Sequence, residues 1–311
     1  MAEIGTNRFR RPPYPVIEKF IDTVETLISA FLVAGLYAAM SYGLALIYGV
    51  LKVINLANAG FLMLGAYITW WMWSSFHVDP LLAPLAIVPL FFLMGFTIER
   101  ILVRRVLGQE PIVSLLLLFG LWLVLQNLAY VIWTGDTRSI ETPFIDASLK
   151  LGSIQVAWAR IYVFVAGVLA LVALQLLLTR TQLGRAIRAV AQDREAAKIT
   201  GIDVDRVMGI AFGIGIALTG FAGSLLSLLF SFNPDFGRTL LLKSFCIIVL
   251  GGLDSFVGVA FGALSLALAE AFGVRYMAAS LQNLISFVVL VVVLVAFPKG
   301  ISGMLRSLRR G

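Results

Sequence analysis

Five polar side chains interrupt the long apolar runs of this sequence and are its best candidates for chemistry: Asn55, Asn58, Gln126, Asn127 and Glu270. A polar group in hydrocarbon needs a partner or water, so such residues usually face a bundle interior or a solute pathway. We therefore predict that these five residues line a translocation pathway. The alternative for the amides is a bond between neighbouring helices, and for Glu270 an ion pair with a basic residue.

Residues for catalysis or metal binding are nearly absent. His77 is the only histidine and Cys246 the only cysteine, which excludes an HExxH zinc site, an internal disulfide and a multi-cysteine metal site. No Gly-Lys dipeptide occurs, so the chain has no Walker A loop, and any ATP must be bound by another chain. No aspartate pair or Ser–His pair for proteolysis lies within the apolar runs. We expect no catalytic residue, no metal and no cofactor on this chain.

Residues 179–206 form a charged island between two long apolar runs, residues 161–178 and 207–229. A charge at mid-bilayer costs about 2.5–3.5 kcal/mol, so the charged island must lie outside the hydrocarbon. Its Ala, Arg, Gln and Glu content favours helix, and its polar positions recur three and four residues apart. We predict a short amphipathic element, turned at Gly201, on the cytoplasmic surface and accessible to another protein.

The composition indicates the class of protein and the kind of helix in which the polar candidates lie. The 311-residue chain is 60% hydrophobic and 13% charged, with a mean hydropathy of +0.97. We predict an all-α polytopic membrane protein, surrounded by lipid, with about eight or nine transmembrane segments, one of them short or broken near residues 240–252. The net charge of +7 lies in short loops and near the chain ends, a positive-inside pattern that argues against a nucleic-acid partner.

The predicted organisation is a single membrane domain. Residues 1–26 form a polar N-terminal segment, of which residues 16–29 are amphipathic and suited to the membrane surface. Residues 27–305 form the transmembrane domain, and residues 306–311 are a basic tail. The side of the N-terminus stays open, because three spans before the basic loop at 99–105 place it outside, whereas its arginines favour the inside.

Four glycines are predicted to pack helices. They form two pairs with three residues between the members, a spacing that lets helix backbones approach closely. The pairs are Gly209 with Gly213 and Gly258 with Gly262.

Ten short blocks of the sequence resemble the membrane subunits of branched-chain amino acid ABC importers. Each block alone is weak, but they follow one another in the family's order and cover nearly the whole chain. The first blocks resemble the first of the two permeases that such importers use. The blocks are GLYAAMSYGLALIYG at 35–49, VINLANAG at 53–60, MLGAY at 63–67, LQN at 125–127, LGRAIRA at 183–189, DREAA at 193–197, GIDVDR at 201–206, LKSF at 242–245, VLGGL at 249–253 and AE at 269–270.

The resemblance implies a multi-pass permease of the bacterial cytoplasmic (inner) membrane. A second homologous permease would complete the pathway, two cytoplasmic ATPases would bind ATP and Mg, and an extracytoplasmic substrate-binding protein would deliver the solute. Closure of the ATPases would move the charged island, which docks in an ATPase groove, and open the pathway outward. The matching coupling positions are Gly184, Arg185, Arg188, Asp193, Ala196, Ala197 and Gly201.

The resemblance leaves the solute open. Residues 56–59 read Leu-Ala-Asn-Ala, where the family commonly has an aromatic residue and a histidine. We expect branched-chain or related small amino acids, with urea, amides or aromatic acids as alternatives. A stand-alone channel or ion-coupled carrier, suggested by Glu270 and the buried amides, is the alternative of a different class.

Overall fold

The computed structural model describes residues 15–151, 154–252, 256–277 and 281–296. The regular elements of this part of the chain are helices except for two antiparallel strands, β1 (Ser148–Leu151) and β2 (Ile154–Ala157). The helices are α1 (Pro15–Leu51), α2 (Asn58–Phe76), α3 (Ala83–Ile101), α4 (Pro111–Trp133), α5 (Pro143–Asp146), α6 (Trp158–Arg180), α7 (Gln182–Gln192), α8 (Arg194–Ile199), α9 (Val204–Ser227), α10 (Phe236–Gly251), α11 (Phe256–Tyr276) and α12 (Gln282–Ala296).

The prediction of an all-α polytopic membrane protein is confirmed. In the described part of the chain six helices are long and apolar enough to cross a membrane, namely those formed by α1, α3, α4, α6, α9 and α11. Helices α2, α10 and α12 also pack in the bundle but are shorter or less apolar, so about eight or nine segments is an approximate count. The short segment expected near residues 240–252 is α10, which is continuous over 16 residues.

Contacts between helix termini define two ends of the bundle. At the hairpin end, beside β1 and β2, Arg160 at the start of α6 donates a hydrogen bond to Ser29 Oγ at 2.9 Å. At the island end, Arg194 at the start of α8 donates to the Leu51 carbonyl at 2.5 Å. Helix α1 therefore runs from the hairpin end to the island end. The first residues of α1 lie at the opposite end of the bundle from the charged island. The sequence left open on which side of the membrane the N-terminus lies, and this position of α1 is relevant to that question. Residues 1–14 lie outside the described residues.

Helix α1 begins earlier than the expected first span. It is one helix of 37 residues, and no glycine or proline interrupts residues 16–34. Residues 16–29, expected on the membrane surface, are therefore continuous with the span. The basic tail at 306–311 lies outside the described residues.

Helices α1 and α9 occupy the centre of the bundle. In the most apolar 18-residue stretch of each of these helices, 83% is buried, against 22% in the corresponding stretches of α4 and α6. Glycines allow α2 to cross α9 closely, because a Cβ atom at Gly223 would lie 2.0 Å from the Leu62 carbonyl oxygen. Thr69 of α2 donates a hydrogen bond to Ser224 of α9 at 2.6 Å at the same crossing.

The glycines assigned to packing lie at helix contacts. A Cβ at Gly209 would lie 2.8 Å from Glu99 Oε2, and one at Gly213 would lie 3.0 Å from the Phe92 carbonyl oxygen, both on α3. A Cβ at Gly262 would lie 2.4 Å from the carbonyl oxygen of Ile247 on α10, and Gly258 meets Gly251 at the same contact. A Cβ at Gly209, Gly213 or Gly262 would therefore be crowded at the present helix separation.

Candidate functional site

The charged island folds as two short helices, α7 and α8, between the spans α6 and α9. Thr181, Asp193 and Asp203 start α7, α8 and α9, and each accepts a hydrogen bond from the backbone N–H three residues further on, at 3.0–3.1 Å. Such capping satisfies the free N–H groups of a helix start. Gly201, with φ of +84°, turns the chain after α8. Local polar side chains thus fix the path of the charged island.

The charged island has a buried face and an exposed face. Ile187, Val190 and Ala197 are buried against the bundle, whereas Arg185 and Ala196 are exposed. The last residue of α8, Ile199, has 87% of its surface exposed although its side chain is large and apolar. This exposed apolar side chain is available for contact with another protein.

Two of the predicted coupling residues hold the corner between α6 and α7. A Cβ at Gly184 would lie 2.2 Å from the Leu177 carbonyl oxygen, so a glycine lets α7 fold back against the end of α6. The Arg188 guanidinium donates a hydrogen bond to the Leu178 carbonyl. Both residues therefore position the charged island. The exposed residues among the other coupling candidates are Arg185, Asp193, Ala196 and Gly201.

Arg194, which sequence reasoning did not assign to the site, joins the charged island to α1. Its guanidinium donates hydrogen bonds to the Val50 carbonyl at 3.2 Å and the Leu51 carbonyl at 2.5 Å. The last four carbonyls of a helix lack intrahelical partners, and α1 has no basic residue in its last turn. Several other helices also lack a basic residue in the last turn, so no signal in the sequence singles out this contact.

Asn55 and Asn58, which we call the amide pair, flank the start of α2 and are fully buried. Asn58 Oδ1 accepts a hydrogen bond from Thr219 Oγ1 on α9 at 2.6 Å. Asn58 Nδ2 and both side-chain polar atoms of Asn55 have no partner within the described residues. Buried polar groups in proteins nearly always have partners, so these atoms are free to bind water or a solute.

The backbone beside the amide pair is also unusual. Residues 52–57 between α1 and α2 are not helical, and a Cβ at Gly237, near the start of α10, would lie 2.2 Å from the Ala59 carbonyl oxygen. Two helix starts thus meet within the bundle. Non-helical backbone at membrane depth is tolerated where protein buries it or where it lines a cavity.

Gln126 and Asn127 do not join the amide pair. Gln126 Nε2 donates to Asp235 Oδ1 at 2.8 Å and steadies the chain just before α10. Asn127 is exposed, and its Nδ2 donates to the Leu123 carbonyl of its own helix at 2.7 Å. For Gln126 this contact matches the alternative role of an amide that bonds neighbouring helices. Asn127 lies on the surface of α4.

Glu270 lies in a buried ionic cluster of Tyr37, Lys243, Glu270, Gln282 and Ser286. Lys243 Nζ is 2.8 Å from Glu270 Oε2, and the Tyr37 hydroxyl and Gln282 amide donate to the same oxygen at 2.6 and 2.8 Å. Ser286 donates to Glu270 Oε1. The carboxylate is thus paired with a cation, which is the alternative given for Glu270 in the sequence analysis. Its partners come from α1, α10 and α12.

The predicted pathway residues therefore occupy separate places. The amide pair lies between α1, α2 and α9, Gln126 and Asn127 lie on α4, and Glu270 lies among α1, α10, α11 and α12. Among the residues that the structure describes, no group of three His, Cys, Asp or Glu side chains is placed to hold a metal ion. The described residues thus offer unpartnered buried amides and an exposed face on the charged island.

Comparisons with known proteins agree with this geometry. The family described as "Branched-chain amino acid transport system / permease component" matches residues 26–294. The chain is 29% identical to the high-affinity branched-chain amino acid transport system permease protein LivH of Salmonella typhimurium, over 92% of this chain and 97% of the relative. It is also 29% identical to the corresponding permease protein BraD of Pseudomonas aeruginosa, over 90% and 95% of the two chains.

A more distant relative is the probable branched-chain amino acid transport permease protein LivH of Methanocaldococcus jannaschii, 25% identical over 89% of this chain and 91% of the relative. No solved structure matches the chain significantly. The family match extends from α1 to α12 and so includes the charged island, the amide pair and the ionic cluster. The chain belongs to the family of permease components of branched-chain amino acid transport systems, and is a membrane subunit of a transporter rather than an enzyme.

Proposed function

We propose that this chain is one of two permease subunits of an ATP-driven importer in the bacterial cytoplasmic membrane, and that its cargo is branched-chain or related small amino acids. The named relatives are permeases for branched-chain amino acids. A second homologous permease completes the pathway, two cytoplasmic ATPases carry ATP and Mg, and an extracytoplasmic binding protein delivers the cargo. The family match and the absence of a nucleotide loop in this sequence support these partners.

The observation that carries the proposal is the docking surface at the tip of α8. Ile199 is exposed beside Ala196 and the charged residues Glu195 and Lys198. An exposed apolar side chain with charged neighbours can fill a pocket on a partner, with the charges at the rim of the interface. We assign this surface to the groove of an ATPase, with Ile199 as the central contact.

The contacts of the charged island suggest how movement of an ATPase reaches the pathway. Arg194 links α8 directly to the end of α1, and Arg188 links α7 to the end of α6. The end of α1 is followed at once by the non-helical residues 52–57 and the amide pair. A displacement of α8 therefore acts on the chain that carries Asn55 and Asn58. In this proposal ATP binding closes the ATPases, opens the pathway outward, and hydrolysis resets it.

A charge at Ile199 tests the proposal. Ile199→Asp should remove most of the ATPase that copurifies with the detergent-solubilised chain, because a carboxylate is costly in an apolar pocket. The matched control is Gln155→Asp, which adds the same charge to an exposed residue of β2 at the opposite end of the bundle. Full retention of the ATPase by Ile199→Asp, with ATP hydrolysis still stimulated by the loaded binding protein, would overturn the proposal.

A further inference from the structure

A cavity of about 60 Å³ lies beside the ionic cluster, between α10 and α12. Its polar lining includes Thr239 and Lys243 of α10 and Asn283 of α12. The cavity has room for about four water-sized groups, since one water needs roughly 15 Å³ of such volume. It is open on one side, so a longer molecule could place one end in it.

The polar groups of the cavity have unused hydrogen-bonding capacity. Lys243 Nζ carries three donors, and its acceptors in the described part of the chain are two, Glu270 Oε2 at 2.8 Å and the Tyr37 hydroxyl at 3.0 Å. The hydroxyl of half-buried Thr239 and the amide of exposed Asn283 form no hydrogen bond with another described residue, and both line the cavity. One positively charged donor thus stands next to two neutral groups that can accept or donate.

The ionic cluster selects for the sign of the ligand group that meets Lys243. Glu270 already accepts bonds from Lys243, Tyr37, Gln282 and Ser286, so its charge is fully engaged and offers little to an incoming cation. The remaining donor of Lys243 suits an anion such as a carboxylate. The acceptor oxygens available to an ammonium group are those of the Thr239 hydroxyl and the Asn283 amide.

We propose that this cavity is a subsite for the zwitterionic end of an α-amino acid. Lys243 donates to the carboxylate, and the oxygens of Asn283 and Thr239 accept from the ammonium group. A zwitterion is neutral overall, so its entry leaves the Lys243–Glu270 pair electrically balanced. The inference rests on the proposed function and adds to it the group of the cargo that this chain recognises.

The apolar part of the lining fits the same ligand. Leu242, Cys246 and Phe287 complete the wall of the cavity. They can pack on the α-carbon and the first carbon of the side chain, but the volume leaves the rest of an aliphatic side chain outside. The subsite therefore selects amino acids as a class and does not select among their side chains.

The test uses the assembled importer in lipid nanodiscs, with a single reporter thiol. Leu242→Cys in a Cys246→Ala background supplies a thiol in the apolar wall of the cavity and keeps both proposed ammonium acceptors, and its rate of alkylation is measured with leucine or leucinamide present. Leucine should slow labelling about tenfold, and leucinamide, which lacks the carboxylate, should have little effect. Adding Asn283→Leu should remove the protection, because that substitution deletes an acceptor without touching the ionic cluster.

Two further measurements on the same preparation separate this inference from the proposed function. ATPase copurification and ATP-dependent leucine uptake report on the proposed function alone. Equal protection by leucine and leucinamide, or none by either, in an importer that still takes up leucine would overturn the subsite and leave the proposed function intact. An importer that binds no ATPase, takes up no leucine and shows no protection would overturn both.

Discussion

The ionic cluster and the amide pair are both buried among the spans, yet they are built in opposite ways. In the ionic cluster both carboxylate oxygens of Glu270 have partners, supplied by three other helices. In the amide pair Asn55 has no hydrogen-bond partner for its side chain among the described residues, and Asn58 has one, Thr219. The carboxylate of Glu270 is fully hydrogen-bonded, and the amides of the amide pair are not.

The difference follows from the cost of burying each kind of group. An unpaired charge in a low-dielectric interior costs several kcal/mol, so Lys243 and Glu270 must remain paired as long as both are buried. A neutral amide costs less, and it can exchange its partner for water or a solute. We therefore assign the Glu270 side of the ionic cluster to the framework of the bundle, and the amide pair to the pathway itself.

The largest effect is expected where one charge of the ionic cluster is removed. Lys243→Met should destabilise the folded chain by about 3–5 kcal/mol, because Glu270 is left buried without its cation. The double variant Lys243→Met/Glu270→Gln should recover most of that loss. Thermal unfolding in detergent, followed by size-exclusion chromatography, gives both values. A single variant as stable as the double variant would show that the pair is not a framework element.

A smaller effect is expected at the helix crossing that holds α2 in place. Gly223→Ala should destabilise the chain by about 1–3 kcal/mol, because its Cβ would lie 2.0 Å from the Leu62 carbonyl oxygen and the helices must move apart. The matched control is Gly120→Ala in α4, where nothing lies within 4 Å of the added Cβ. That control should be neutral or slightly stabilising, since Ala favours helix by about 1 kcal/mol over Gly. Equal melting temperatures for the two variants would contradict the close crossing.

The smallest effect on stability, with a clear effect on transport, is expected at the amide pair. Asn58→Ala removes one interhelical bond, worth about 0.6 kcal/mol, and leaves Thr219 bonded to the Gly215 carbonyl at 2.9 Å. ATP-dependent uptake should nevertheless fall about tenfold, which corresponds to about 1.4 kcal/mol in the barrier. Asn127→Ala is the control, because within the described residues the Asn127 side chain bonds to its own helix alone, so its loss should change neither property. Unchanged uptake by Asn58→Ala would remove the amide pair from the pathway.

The features predicted correctly from the sequence depend on local physical chemistry. Long apolar runs identify spans because the bilayer fixes their length. The charged island is recognised as a segment outside the spans because its charges cannot enter hydrocarbon. The start of α1 at Pro15 was not predicted, because amphipathic residues next to a span suit either a surface helix or a continuation of the span. Only the neighbouring helices decide between them.

The features that the sequence did not reveal depend on residues far apart in the chain. Arg194 bonds to Leu51, and Lys243 and Tyr37 meet at Glu270, and no local pattern encodes either contact. The same limit applies to the pathway residues. Asn127 and Asn58 look alike as amides in apolar runs, yet one is exposed on α4 and the other is buried at the start of α2.

The central claim is that this chain is a passive wall of a pathway that ATPases open. Its most direct test is the uptake of labelled leucine into proteoliposomes that contain either the purified chain alone or the complete importer with its binding protein. The account predicts no uptake by the chain alone, and uptake by the complete importer only when ATP reaches the ATPases. Solute flux through the chain alone would contradict the account and would favour a stand-alone channel or carrier.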